Sequence, residues 1–454
     1  MVTPVAKPIV ALVGRPNVGK STLFNRMIGE RRAIVQNEPG TTRDRTYGDA
    51  EWIGVEFIVV DTGGLMDDDE LKSGTTEGEA KIAQDTREQA IAAIAEADVV
   101  VFMTDVTAGG PTAGDYEIAE ILRRTHKPTI LAVNKADSPN RRELAYEYYS
   151  LGLGDPMVIS AYHGNGTGDL LDKIVENLPE AEEEDDELEG PRIAIVGRPN
   201  VGKSALLNAL LGQERAIVSD VAGTTRDSLD TQITWEGEPI TLIDTAGIRR
   251  RGRVEQGIER VSVIRSMRAI DRADVVILVI NAIEDFTSQD LHIAGYVEEQ
   301  KKGLVIAINK WDLVEKEPTT MDEFRARAAR ELDFIVHAPV VFISAKTGQR
   351  VGQVIEAALN VLTQREKRVS TAALNKMLRE AVSKHQPPSR PGKWVKFYYA
   401  TQADVSPPTF IFFTNDPKQI HFSYRRYLEN ELRQTFGFEG TPLRISFRSR
   451  HEDL

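Results

Sequence analysis

Eight residues occur twice: G-R-P-N-V-G-K-S runs from Gly14 to Ser21 and again from Gly197 to Ser204. Each copy fits G-x-x-x-x-G-K-[ST]. Gly14 and Gly19, like Gly197 and Gly202, let the backbone turn so that successive N–H groups converge on one point, a cradle for phosphate. A helix starting there adds the positive end of its dipole. Lys20 and Lys203 bring a charge to the β- and γ-phosphates and are catalytic candidates. The hydroxyls of Ser21 and Ser204 are hard oxygen ligands for Mg²⁺. Arg15, Pro16, Asn17 and Val18, with Arg198, Pro199, Asn200 and Val201, complete the two loops.

Three further signals follow in the same order in both copies. D-T-G-G-L spans Asp61, Thr62, Gly63, Gly64 and Leu65; D-T-A-G-I spans Asp244, Thr245, Ala246, Gly247 and Ile248. The aspartate at a strand end suits the Mg²⁺ shell, often through water. Gly64 and Gly247 offer an N–H to the γ-phosphate, so each loop would sense that group. N-K-A-D (Asn134, Lys135, Ala136, Asp137) and N-K-W-D (Asn309, Lys310, Trp311, Asp312) select the base. A carboxylate accepts both the N1–H and the N2 amino group of guanine, donors that adenine lacks at those places. Ser160–Ala161 and Ser344–Ala345 would close over the guanine oxygen.

The elements that must hold these groups are legible too. Short β-branched runs precede the motifs: Ile9–Val13, Phe57–Val60, Val99–Met103, Thr129–Val133 and Met157–Ile159, then Ile193–Val196, Ile240–Ile243, Val275–Ile280, Leu304–Ile308 and Val340–Ile343. Runs of this kind read as buried parallel strands, and helix-length segments separate them. Ligands bind such sheets at the strand C-terminal ends, where the motifs fall. The phosphate-loop, G-T-T-R-D and D-T-x-G pairs are each offset by 183 residues. A period this long duplicates a whole domain. Two P-loop GTPase domains of the α/β class are expected, mostly parallel sheets flanked by helices, at 1–178 and 191–362. Between them, eight of the ten residues Glu180–Glu189 are acidic, which predicts an extended linker over 179–190.

The chain has 454 residues and a net charge of −13. From Thr363 to Leu454 there are 16 basic and 9 acidic residues, a net of +7, which leaves −20 elsewhere. A basic tail domain on an acidic body points to an acidic partner. The absence of cysteine excludes disulfides and thiolate metal sites. No apolar run approaches the roughly 20 residues of a membrane span, and no signal pattern precedes Ile9. A cytoplasmic protein, monomeric when free and without a membrane partner, is expected.

In 363–454 the pattern changes. V-S-T-A-A-L-N-K-M-L-R-E-A-V-S-K-H offers an N-cap at Ser370 or Thr371 and one apolar face of Leu374, Met377, Leu378, Ala381 and Val382. K-W-V-K-F-Y-Y-A-T-Q and T-F-I-F-F-T-N alternate like strands, Y-R-R-Y-L-E-N-E-L-R-Q-T-F reads as a helix, and P-L-R-I-S-F-R as a last strand. The order α-β-β-α-β resembles a KH-like RNA-binding domain of the α+β class, without the G-x-x-G loop that clamps a nucleic-acid backbone. Tyr398, Tyr399, Phe412 and Phe413 suit base stacking, although most of them are expected in the core.

Taken together the motifs resemble those of translation-factor-like P-loop GTPases. The tandem copies and the C-terminal segments S-T-A-A-L-N-K-M-L, H-Q-P-P and F-G-F-E-G-T-P-L-R-I resemble one family, the bacterial Der (EngA) ribosome-assembly GTPases. That resemblance implies a switch protein for the large (50S) ribosomal subunit and its rRNA, cycling between GTP and GDP. It implies Mg²⁺ ligation by Thr42 and Thr225, the second threonine of each G-T-T-R-D, which makes them catalytic candidates as well. It implies potassium activation through Asn17 and Asn200. Leu65 and Ile248 stand where many GTPases carry a water-orienting glutamine, so intrinsic hydrolysis is expected to be slow. The segments that follow differ between copies: L-M-D-D-D-E against I-R-R-R-G-R, with Arg249, Arg250, Arg251 and Arg253 open to rRNA or to an acidic protein surface. Alternatives are a membrane- or division-associated GTPase, a tRNA-modification GTPase, and a nucleotide-gated RNA-binding scaffold with little turnover.

Overall fold

The computed structural model describes residues 7–32, 47–62, 91, 93–179, 190–213, 215–218, 230–245, 261–315, 317, 319–387 and 394–449. Thr42, Gly63, Gly64, Leu65, Thr225, Ala246, Gly247, Ile248, the four arginines 249, 250, 251 and 253, and the acidic run 180–189 lie outside these residues. The chain divides into two compact units, one holding the first motif copy and the other holding the second copy with the C-terminal segment.

In the first unit six strands form one sheet: β1 (Ile9–Val13), β2 (Tyr47–Trp52), β3 (Val55–Asp61), β4 (Val99–Asp105), β5 (Thr129–Asn134) and β6 (Met157–Val158). Their spatial order is β2-β3-β1-β4-β5-β6, and only the β2–β3 pair is antiparallel. Val99, Val100, Val101, Phe102 and Met103 are all fully buried, which is why β4 reads as an unbroken apolar run. Each such side chain contributes about 1.5–3 kcal/mol on burial. Helices α1 (Lys20–Arg32) and α2 (Ala113–Thr125) lie between strands, and α3 (Thr167–Asn177) follows β6. Leu23, Phe24 and Met27 of α1 pack with Leu170, Leu171 and Ile174 of α3 in the core on one side of the sheet.

The second copy repeats this plan: β7 (Arg192–Val196), α4 (Lys203–Leu211), β8 (Ala216–Val218), β9 (Thr231–Trp235), β10 (Glu238–Ile243), α5 (Val261–Arg272), β11 (Val275–Asn281), α6 (Ser288–Glu299), β12 (Gly303–Asn309), α7 (Thr320–Glu331), β13 (Val340–Phe342) and α8 (Val351–Arg365). The sheet order is β13-β12-β11-β7-β10-β9-β8, with β8 and β9 as an antiparallel edge. Every strand expected from an apolar run is present. The mixed-polarity strands β2 and β9 and the three-residue A-I-V strand β8 are additions to those expected. The expected domain border at residue 362 falls inside α8.

The C-terminal segment forms α9 (Thr371–Lys384), β14 (Phe397–Asp404), β15 (Thr409–Thr414), α10 (Phe422–Phe436) and β16 (Arg444–Ser449), the α-β-β-α-β order expected. Ser370 is the N-cap of α9 and accepts from Ala373 N–H. Leu374, Met377, Leu378 and Ala381 are buried with Leu428 and Leu432 of α10 against the three-stranded sheet. Of the four aromatics considered for stacking, Phe412 alone is fully buried; Tyr398 and Tyr399 are 39% and 43% exposed, and Phe413 is half-buried. This module is tied to the second copy through backbone. Leu304 N–H, at the start of β12, donates to Gly440 O (2.8 Å), and Gly440 N–H donates to His337 O (2.7 Å). Gly440 has φ 71°, and a Cβ there would stand 2.2 Å from Val361 Cγ2, so glycine is required on both steric and conformational grounds. The buried Arg365, at the end of α8, donates to Lys301 O (2.8 Å).

Candidate functional site

Parallel strands deliver their C-terminal ends to one edge, so β1, β3 and β5 set Gly14, Asp61 and Asn134 side by side in the first copy. The loop after β1 is anchored by Val18, which is buried in the core beside Leu12 and Met103. Gly14 has φ 155°, and a Cβ there would stand 2.3 Å from Met103 O. Asn17 lies at φ 66° and Asn200 at φ 61°, in the left-handed region that asparagine tolerates better than most residues. Backbone geometry alone therefore accounts for an asparagine at each position.

Lys20 opens α1 and is buried, and its Nζ donates to Gly14 O and Arg15 O, both at 2.8 Å. Burial lowers its pKa, opposed by the nearby Asp61 carboxylate. Lys203 makes the same pair of bonds to Gly197 O and Arg198 O at 2.6 Å. Ser21 Oγ donates to Asp61 Oδ2 at 2.5 Å. Two hard oxygen donors held together beside the cradle fit a Mg²⁺ ion, which favours oxygen ligands. Thr62 is buried and its hydroxyl donates to Leu12 O.

Asn134 is the keystone between two loops. Its side chain is buried, its Nδ2 donates to Val18 O (2.8 Å), and its Oδ1 accepts from Ala161 N–H (2.8 Å). One amide thus ties the phosphate loop to the S-A loop. It also explains the second glycine of the cradle, because a Cβ on Gly19 would stand 2.3 Å from Asn134 Nδ2. The second copy repeats each link: Asn309 Nδ2 to Val201 O (2.8 Å), Ala345 N–H to Asn309 Oδ1 (2.9 Å), and a Gly202 Cβ at 2.2 Å from Asn309 Nδ2. Ala136 and Trp311 face inward, both buried. Their N–H groups donate to Ile159 O and Ile343 O, fastening each N-K-x-D turn to the strand end beside it. Asp137 is left exposed, with its Oδ1 accepting from Ser160 Oγ at 2.5 Å and its Oδ2 from Arg141 at 3.3 Å.

Two placements depart from the sequence reading. Asp61 ends β3 as expected, but Asp244 lies one residue beyond β10 at φ 53°. Its N–H donates to the Asp230 carboxylate, itself paired with Arg272 at 2.5 Å. Asp230 aligns with Tyr47 of the first copy, which has no carboxylate to offer, so only the second copy turns its backbone here. The second departure concerns Arg15, whose side chain leaves the phosphate side of the loop. Its Nε donates at 2.9 Å to Asp115, which is fully buried and closes the capping box of α2 with Thr112. Arg198 pairs with Asp290 of the α6 capping box at 3.3 Å and with Glu284. The arginines lock the cradle to the helix that follows β4 or β11. Their partners were announced by T-x-x-D at aligned places in both copies, a signal of helix capping that gave no hint of its second use.

Comparison with known proteins agrees with this geometry. A model of a 50S ribosome-binding GTPase domain matches residues 9–135 and 192–310. A model of the KH-domain-like C-terminal module of EngA bacterial GTPase enzymes matches 368–448. Proteins called GTPase Der resemble the chain over nearly its full length. That of Thermomicrobium roseum is 56% identical over 98% of this chain and 96% of its own. That of Herpetosiphon aurantiacus is 54% identical over 98% of both. That of Desulfitobacterium hafniense is 52% identical over 99% of both. With two GTPase domains in tandem and the KH-like module behind them, the chain belongs to the Der family of GTPases.

Proposed function

We propose that this GTPase is a switch in assembly of the large (50S) ribosomal subunit, with guanine nucleotide bound at both cradles and rRNA met by the basic KH-like module. The observation that carries the reading is the keystone asparagine. In each copy it joins the phosphate loop to the S-A loop, so a nucleotide spanning the two would act on one connected frame. Domains at 1–178, 191–362 and 363–454, joined by the acidic 179–190, would shift as the switch loops reorder. The description of the matching family as 50S ribosome-binding, and the net positive charge of the third domain, support the partner. The free protein would work in the cytoplasm as a monomer.

In each copy Mg²⁺ would be held by Ser21, Asp61 and Thr42, or by Ser204, Asp244 and Thr225. When bound it neutralises charge on the β- and γ-phosphates. Lys20 and Lys203 bring a further positive charge. The Leu65 and Ile248 side chains have no group to orient water, so hydrolysis is slow unless a cation beside Asn17 or Asn200 offsets developing charge. Under that reading, turnover in KCl exceeds turnover in matched NaCl by tenfold or more; equal rates would remove potassium from the mechanism. The partner is tested by co-sedimentation with 50S subunits. A non-hydrolysable GTP analogue should carry the chain into the pellet more than GDP does, and Ser21→Ala or Ser204→Ala should reduce that difference. Equal pelleting with GTP analogue, GDP and no nucleotide would refute the switch reading.

A further inference from the structure

The two base pockets share a frame but not its fastenings. In the first copy Arg26 of α1 reaches the S-A loop, where its Nε donates to Ala161 O (2.8 Å) and its Nη2 to Tyr162 O (2.7 Å). The contact is tight, since a Cβ on Gly164 of the same loop would stand 2.7 Å from Arg26 Nη1. The aligned residue in the second copy is Ala209, which has no donor to offer. The groove between α4 and the second S-A loop measures about 770 Å³, and that between α1 and the first about 380 Å³.

A second fastening differs in the same sense. Lys135 of N-K-A-D donates to Asn17 O (2.7 Å) and pairs with Asp105 at the end of β4 (2.6 Å). Burial pushes the Asp105 carboxyl up, but its bonds from Lys135 and Thr107 outweigh this and hold it below its ordinary value. In the second copy Asn281 ends β11 in the place of Asp105, and its amide turns to Glu284 instead. The first copy thus has charged clamps on both loops that would enclose a base, and the second has neutral residues in both places.

We propose that Arg26 and Asp105 are positioning residues that hold the first pocket in its closed form, so that the first copy releases guanine nucleotide more slowly than the second. A nucleotide leaves only when the S-A loop and the N-K-x-D turn open. Bonds that favour the closed loops lower the population of open ones, and preorganisation lowers the cost of binding. This inference rests on the guanine reading of Asp137 and Asp312.

The test uses the full chain with one pocket silenced for guanine by Asp312→Asn or Asp137→Asn. Each variant must first retain one equivalent of fluorescent GDP where the parent takes two; retention of two or none would fail the guanine reading before any release is timed. Release from the first copy, seen in the Asp312→Asn chain, should be about tenfold slower than release from the second, seen in the Asp137→Asn chain. Adding Arg26→Ala to the first should speed release about tenfold, the lower end of what its two charge-assisted hydrogen bonds to the loop would contribute. Adding Ala209→Arg to the second should slow it by a similar factor, which a residue that only supports the fold would not do. Equal release from the two copies overturns the proposal, and so does an Arg26→Ala effect without the reciprocal slowing by Ala209→Arg.

Discussion

Asp137→Asn should cost the first copy at least a thousandfold in GDP affinity and turn it toward xanthine nucleotides, and Asp312→Asn should do the same to the second. A carboxylate has about four lone-pair sites. On Asp137 the hydroxyl of Ser160 and the guanidinium of Arg141 take one each, which leaves capacity for two donors from the base. An amide keeps one acceptor and replaces the other with a donor, so the guanine N2 amino group meets an N–H of like polarity. Xanthine carries a carbonyl at that place and accepts from it. Sites built to satisfy polar groups reject a mismatched ligand by about 10⁴–10⁵, and the exposure of Asp137 argues for the lower part of the effect. Competition between GDP and xanthosine diphosphate, measured for each variant separately, checks the exchange. Unchanged preference in both variants would remove the base assignment.

The second large effect is on hydrolysis. Lys20→Ala and Lys203→Ala should each slow single-turnover cleavage of GTP at their own copy by about 10²–10³, the usual loss when one preorganised charge beside a transferring group is removed. The geometry is already in place: the Lys20 ammonium sits buried over the loop and is held by two loop carbonyls. Burial depresses its pKa against the pull of Asp61, and the negative charge of a γ-phosphate would raise it. Rapid-quench measurement of phosphate release in each variant decides the matter. Rates equal to the parent at both copies would show that the lysines only shape the loop.

The sequence announces the buried part of the fold better than its edges. β4 and β11 are legible because both faces are covered, so every residue of Val99–Met103 or Val275–Ile280 is apolar. The edge strand β2, Y-G-D-A-E-W, is half-exposed and polar at alternate positions, and such a strand forms because β3 offers it hydrogen bonds. The phosphate loops were legible because backbone convergence demands glycines at fixed spacing. The S-A loop fastening was not, because Arg26 looks like any helix-surface arginine until the loop carbonyls are seen beside it. The sequence reads Asn134 and Asn309 as base-selecting residues. Their amides also form internal links, a role that depends on where two distant loops meet in space. Asp244, which opens D-T-A-G, shows the same limit, since its turned backbone follows from Asp230 and Arg272, both remote from the motif.

The central claim is that both cradles enclose a guanine nucleotide. Isothermal titration of the magnesium-replete chain with GDP tests it most directly. Two equivalents bound per chain is the predicted result, falling to one in either Asp137→Asn or Asp312→Asn and to none in the double variant. A parent chain that takes up no guanine nucleotide, or a double variant that still binds two, would contradict the account.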